Sequence, residues 1–166
     1  MALAARRLPA EASRMRRLLL VVVLLGLLAP AAQARPKPVD TPRRPPATPR
    51  VARLVAFAKR QLGIPYSWGG TSRRTGFDCS GLVYAAYRSI GRKIPRSTWG
   101  QMSRGIPVRF TRLRPGDLVF TYGGGHVQLV VSKRAAISAP HTGARVHYVS
   151  LRSLRGGFTG ARRLLR

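Results

Sequence analysis

Residues 75–87 read TGFDCSGLVYAAY and contain Cys79, the one cysteine in a chain of 166 residues. Asp78 stands directly before it, and Leu82, Val83, Ala86, Tyr87 and Ile90 follow at helical spacing. The spacing predicts a helix with Asp78 as N-cap, Cys79 in the first turn and Gly91 as the stop. A thiol in that place has two readings. As a small and readily buried residue it fills a core. As a thiolate it is stabilised by the free N–H groups and partial positive charge of a helix N-terminus, and further by a neighbouring imidazolium.

On the N-terminal side, VARLVAFAKRQLG sets Val51, Leu54, Val55, Ala58 and Leu62 on one helical face, with Gly63 as terminator. The domain is expected to begin near Val51. IPYSWGGTSRRTGF, residues 64–77, reads as loop, and STWGQMSR as a short helix capped by Ser97 or Thr98. Beyond Arg114 the period changes. PGDLVFTYGGG predicts a turn, a short strand and a glycine loop, and HVQLVVS a strand with Val127, Leu129 and Val131 on one face. AAISA and RVHYVSL are further strands, separated by the turn PHTG. Helices first and an antiparallel sheet second make an α+β domain.

The flanking segment is of another kind. Residues 1–34 carry arginines, then an apolar run from Leu18 to Leu28, then Ala32-Gln33-Ala34. That is the order of a secretory signal peptide cleaved after Ala34. The run is shorter than the ~20 apolar residues of a spanning helix, so no transmembrane segment is expected after cleavage. Residues 35–50, RPKPVDTPRRPPATPR, have little to bury and read as a disordered tether.

Export sharpens the question about Cys79. In an oxidising compartment cysteines come in pairs, and an unpaired one marks a free reactive thiol or an intermolecular bridge. A nucleophilic thiol needs a base, and the histidines are His126, His141 and His147. His126 opens a strand directly after three glycines, a loop without side chains to obstruct a substrate. Charge is the other outlier, at +27 formally. It favours anionic partners, including anionic cell-wall polymers. The arginines are scattered, so no specific nucleic acid is expected. Three histidines at these spacings make no metal site, and neither metal nor cofactor is implied.

Seven ordered blocks, QLGIPYSWGG, FDCSGLVYAAY, IPRSTWGQ, LRPGDLVF, GGGHVQLVV, SAPHTG and GARR, carry a resemblance to the NlpC/P60 family of papain-like cysteine peptidases. The resemblance runs from about Val51 to Arg163. It implies a papain-like fold and hydrolysis of amide bonds in peptidoglycan stem peptides, most typically between γ-D-glutamyl and a diamino acid. It makes Cys79 the nucleophile and His126 the general base of a thioester mechanism. Tyr66 matches the tyrosine that helps the Cys79 backbone N–H hold the oxyanion. Asp78 and Ser80 match substrate-contacting positions, and Arg96 is either a substrate-facing cation or a structural arginine. Asp117 reads as a structural turn residue, and Trp68 and Trp99 either line the groove or pack. A monomer in the bacterial cell envelope, periplasm or wall, is expected.

Two positions depart from the family's pattern. The residue that orients the base, most often His, is Ser138 here, and its short hydroxyl reaches His126 directly or through a water, unless His141 takes the task. Gln128 stands where the family commonly has glycine. These departures leave a catalytically weak or inactive wall-binding module as the alternative to a peptidase. Transfer of another acyl group, such as a lipid's, is a third reading without an apolar tunnel to support it.

Overall fold

Thr48 and Pro49 start the first helix, two residues ahead of the expected Val51. The computed structural model describes residues 48–165, which lie in the second of the chain's two units, Met1–Arg44 and Pro45–Arg166. The expected signal segment, and the tether up to residue 47, lie outside the described residues. Helix α1 spans Pro49–Lys59. Proline suits the first helical turn because its missing N–H has no partner there in any case. The Thr48 hydroxyl accepts from Val51 N–H at 3.4 Å. Leu54 and Ala58 are the buried positions of α1. The helix ends at Lys59, short of the stop expected at Gly63, and turns carry the chain on to Gly63, which has a φ of 80°.

The 64–77 stretch, expected to be loop, holds a small hairpin. Strand β1, Thr71–Ser72, pairs antiparallel with β2, Gly76–Phe77. Two-residue strands leave no alternation to read. Helix α2 follows as Cys79–Arg88 with Asp78 as N-cap, and Gly91 takes the positive φ of a helix stop. The short helix α3 is Thr98–Met102, and of the two candidate caps the chain uses Ser97.

Six antiparallel strands form the main sheet. In chain order they are β3 Ile106–Pro107, β4 Leu118–Thr121, β5 His126–Val130, β6 Ala135–Ser138, β7 His147–Ser150 and β8 Phe158–Arg163, with helix α4, Leu151–Leu154, after β7. Their spatial order is β3-β8-β4-β5-β6-β7. The expected strands are all present. The additions are β3, α4 and β8, the last in the FTGARR segment, which holds few strand-forming residues.

The sheet separates two apolar clusters. On one face Leu118, Phe120, Val127, Leu129, Val131 and Ile137 pack with Leu54 and Ala58 of α1 and Leu82, Val83, Ala86 and Tyr87 of α2. Each Leu, Val, Ile or Phe side chain among them contributes roughly 1.5–3 kcal/mol on burial. Tyr87 is fully enclosed, and its hydroxyl donates to Gly116 O at 2.8 Å, tying α2 to the turn before β4. On the opposite face Val119, Val130, Ala136 and Ala161 pack with Leu113 and Leu151. Phe110 and Phe158 meet edge to face there, 5.0 Å apart. Period-two alternation therefore sends Val127 and Leu129 to the helices and leaves His126, Gln128 and Val130 on the other face. Among the described residues no helix is long and apolar enough to cross a membrane.

Candidate active site

The thiol owes its position to Asp78 and two glycines. Asp78 is extended, at φ −91° and ψ 177°, and its Oδ1 accepts the Gly81 N–H at 2.6 Å. Its Oδ2 accepts the Gly69 N–H at 2.9 Å, which ties the 66–70 loop to the start of α2. A Cβ on Gly81 would lie 2.0 Å from the Gly70 carbonyl oxygen, so only glycine lets loop and helix meet this closely. The same contact brings Tyr66 and Trp68 beside Cys79. The thiol is partly buried, and its Sγ lies 3.9 Å from Thr98 Oγ1. Cys79 occupies the first helical position, where backbone N–H groups have no intrahelical acceptor.

His126 opens β5, and its Nε2 lies 2.9 Å from Ser138 Oγ on the neighbouring strand β6. The short hydroxyl reaches the ring directly, without a bridging water, and it is Ser138 rather than His141 that makes the bond. Burial pushes the His126 ring down to about 4, and the charges of His141 and His147 add to the effect. At neutral pH the imidazole is uncharged and free to accept a proton. His141 and His147 each direct Nδ1 at a backbone carbonyl, Thr142 O at 2.9 Å and Arg145 O at 2.8 Å.

Tyr66, Cys79, His126 and Ser138 line one cleft of about 740 Å³. The helical half supplies Tyr66, Trp68 and Cys79, and the sheet half supplies Thr121, His126, Gln128 and Ser138. Burial raises the Tyr66 hydroxyl above its ordinary range, with charges at Cys79 and Asp78 adding to it against the opposing effect of Arg96. The phenol therefore stays protonated and able to donate.

Asp78, Ser80 and Arg96 are not part of the cleft lining. They bond to one another at the start of α2. Arg96 Nη1 donates to Asp78 Oδ1 at 3.0 Å and to Ser80 Oγ at 2.8 Å, while Nη2 donates to Asp78 Oδ2 at 2.6 Å. Burial alone would raise the Asp78 carboxyl, but the Arg96 guanidinium and the Gly81 and Gly69 N–H groups outweigh it and hold it below the usual carboxylate range. Asp117 is structural, as expected. Its carboxylate accepts two bonds from Arg163, each at 2.7 Å, and the Arg114 N–H at 2.7 Å. Both acids among the described residues are thus paired with an arginine.

The glycine run before His126 divides: Gly125 lines the cleft, whereas Gly124 serves packing. Gly124 has φ +98°, and a Cβ there would lie 2.8 Å from the Trp99 ring and 2.9 Å from Met102 Sδ. That glycine is needed for packing against α3. Trp99 covers this spot while staying 62 % exposed, and Trp68, 88 % exposed, stands at the cleft. Two cleft-side neighbours escaped the sequence reading. Thr98 looked like a helix cap, but Ser97 takes that place and Thr98 faces the thiol. Tyr122 is the one non-glycine with positive φ among the described residues, at 52°, and its ring lies 6.3 Å from that of His126. Nothing local in the sequence marks either.

The same arrangement of blocks recurs in known proteins. The family model described as the NlpC/P60 family matches residues 63–163. The chain is 40 % identical over 126 residues to murein DD-endopeptidase MepH of Escherichia coli K12, covering 69 % of this chain and 46 % of that protein. It is 36 % identical over 126 residues to the γ-D-glutamyl-L-lysine dipeptidyl-peptidase of Bacillus cereus, covering 71 % of this chain and 38 % of that one. The chain therefore spans about half the length of such relatives or less. A crystal structure of an NlpC/P60 family protein from Bacillus cereus superimposes with a TM-score of 0.66 at 35 % identity, covering 72 % of this chain and 42 % of that one. The NlpC/p60 domain of the peptidoglycan hydrolase SagA does so with 0.61 at 33 %, covering 68 % and 97 %. With the family model spanning the loop of Tyr66, the helix of Cys79 and the whole sheet that carries His126 and Ser138, this chain belongs to the NlpC/P60 family.

Proposed function

We propose that this protein is an exported cysteine peptidase that hydrolyses amide bonds in peptidoglycan stem peptides. The observation that carries the reading is the shared cleft, with a helix-terminal thiol on one side and, on the other, a neutral imidazole held by Ser138. The printed names of the relatives, murein DD-endopeptidase and γ-D-glutamyl-L-lysine dipeptidyl-peptidase, point to the same polymer but to different bonds. Of these we favour the bond between γ-D-glutamyl and the diamino acid.

In the proposed reaction the Cys79 thiol gives its proton to His126 Nδ1, the ring nitrogen not engaged with Ser138. The sulfur adds to the scissile carbonyl carbon. The oxyanion is held by the Cys79 backbone N–H and the Tyr66 hydroxyl, and donors of this kind are each worth ~3 kcal/mol of barrier. The imidazolium then passes its proton to the leaving amine, the C–N bond breaks, and a thioester remains. A water, deprotonated by His126, attacks the thioester, the C–S bond breaks, and the thiolate recovers the proton as the carboxylic acid product departs. Asp78, Ser80 and Arg96, which lie outside the cleft lining, are assigned a positioning role: together they hold the start of the Cys79 helix and the Tyr66 loop in place. A secretory role for residues 1–34 and attraction of the basic chain to anionic wall polymers place the enzyme in the envelope. The directness of the Ser138 contact favours turnover over an inert binding module.

The test is mass spectrometry of fragments released from defined muropeptides by wild type and by Cys79→Ala. A new γ-D-glutamyl carboxyl terminus with wild type, and intact substrate with the variant, are expected. Equal release by both proteins overturns the reading, and cleavage at another bond corrects the specificity.

A further inference from the structure

Serine is an ambiguous partner for a catalytic imidazole. Its hydroxyl can accept from Nε2–H, which leaves Nδ1 bare and basic. It can equally donate to a bare Nε2, which puts the proton on Nδ1 and disables the base. The 2.9 Å contact between His126 Nε2 and Ser138 Oγ is compatible with either. The first arrangement persists only if the Ser138 hydroxyl proton has an acceptor of its own.

One such acceptor is enclosed beside it. Gln128 is 2 % exposed, and its Oε1 is buried with no hydrogen-bond partner among the described residues. The other end of the amide is occupied, since Nε2 donates to Thr121 Oγ1 at 3.1 Å. Thr121 belongs to β4, and β5 lies between β4 and β6. Nε2 is thus engaged with β4, and Oε1 is the free acceptor of the amide. The β5–β6 register pairs Leu129 with Ile137 and Val130 with Ala136. One step further along that register sets Gln128 opposite Ser138, and both line the cleft. Directly opposed residues have Cβ atoms ~5 Å apart, within reach of a glutamine amide. An orphaned buried carbonyl is destabilising, and a bond from the hydroxyl relieves it.

We propose that Gln128 is a positioning residue that makes Ser138 an acceptor toward His126. A small turn about the Gln128 side-chain torsions brings Oε1 to the Ser138 hydroxyl. The chain of donors then runs His126 Nε2–H to Ser138 Oγ, Ser138 O–H to Gln128 Oε1, and Gln128 Nε2–H to Thr121 Oγ1. The departures at positions 128 and 138 thereby form one unit: a serine suffices as orienter because a glutamine fixes the direction of its proton. The inference rests on the peptidase reading for its consequence in turnover, but not for the tautomer itself.

The experiment is ¹⁵N NMR of the histidine rings in the full chain at neutral pH, beside steady-state kinetics. Wild type is expected to carry its His126 proton on Nε2. In Gln128→Leu the proton shifts wholly or partly to Nδ1, and kcat falls on the order of tenfold or more with KM little changed. That is short of the ~10⁴ lost when tautomer control is abolished in a triad. Gln128→Glu, which keeps an acceptor oxygen, restores the Nε2–H form and most of kcat. Thr121→Val, which releases the amide without emptying the site, gives a partial form of the same shift should Gln128→Leu not fold. A wild-type ring protonated on Nδ1, or an Nε2–H signal unchanged in both Gln128→Leu and Thr121→Val, overturns the proposal. These ring signals are read without substrate, so absence of turnover in wild type would count against the peptidase reading alone.

Discussion

The Asp78 carboxylate meets both terminal nitrogens of Arg96, at 3.0 and 2.6 Å, while capping the helix that begins with Cys79. One acid therefore holds three things together: the helix of Cys79 through Gly81, the Tyr66 loop through Gly69, and the segment before α3 through Arg96. The forked geometry suits arginine, and a lysine offers only a point charge.

Asp78→Ala is therefore expected to destabilise by about 2 kcal/mol or more, since a lost cap alone costs ~1 kcal/mol and Arg96 loses its partner. Arg96→Ala costs less, because the Arg96 side chain is 36 % exposed and solvent screens the pair. Urea unfolding of the two variants checks the order. Asp78 has a carboxyl held low in the folded state, so its contribution is present above its unfolded value of ~3.9 and is lost as pH falls through the lower folded one. In Arg96→Ala that acid sensitivity is weaker. An Arg96→Ala protein as unstable as Asp78→Ala would refute this account.

If His126 is the proposed base, its ring, pushed down to about 4, sets the acid limb of activity. Protonated His126 cannot accept the thiol proton, so kcat/KM is expected to rise through about pH 4 and to have levelled by pH 6 on this side. An ordinary histidine would place that limb near ~6.5. Burial is the first cause and the charges of His141 and His147 come after it. Replacing both by alanine should therefore move the limb upward only part of the way. A pH–rate profile on a soluble muropeptide reads the shift directly, and a limb that returns fully to the ordinary range means repulsion rather than burial depresses the ring.

Asp117 is 1 % exposed and receives two bonds from Arg163 across the β4–β8 side of the sheet. Removing one partner of a buried pair leaves a charge without compensation, at about 3–5 kcal/mol. Arg163→Ala is expected to lose about 3 kcal/mol or more in chemical denaturation, while turnover per folded molecule stays near wild type. Asp117→Asn should cost less, because its neutral amide oxygen can still accept the Arg114 N–H. An Arg163→Ala protein of wild-type stability would show that water reaches the carboxylate.

Local signals made part of this arrangement legible. α2 followed from a cap, an apolar stripe and a terminal glycine, and β5 from alternation of Val127, Leu129 and Val131. β8 was not legible, because FTGARR carries a glycine and two arginines, and becomes a strand through its neighbours β3 and β4. The fork between Asp78 and Arg96 spans a loop and depends on tertiary packing, which no spacing rule encodes. Ser138 was marked by its place in the family's pattern. Its direct reach to His126 was not, since it depends on the distance between two adjacent strands.

The glycine run before His126 offers a test that separates packing from access. Gly123 and Gly124 both have positive φ, 64° and 98°, but only Gly124 has neighbours where a side chain would stand. Gly123→Ala is expected to cost about 1–2 kcal/mol, the strain of a left-handed alanine, with KM unchanged. Gly124→Ala adds a collision with the Trp99 ring and Met102, so its loss is larger, by roughly 1–3 kcal/mol of overpacking. Because the run leads straight into His126, displacement of Trp99 also lowers kcat. Thermal unfolding and kinetics of the two alanine variants give the comparison. Equal stability losses would mean that the contact with α3 yields freely. A rise in KM for Gly123→Ala, without loss of stability, would mean that Gly123 as well as Gly125 borders the passage for substrate.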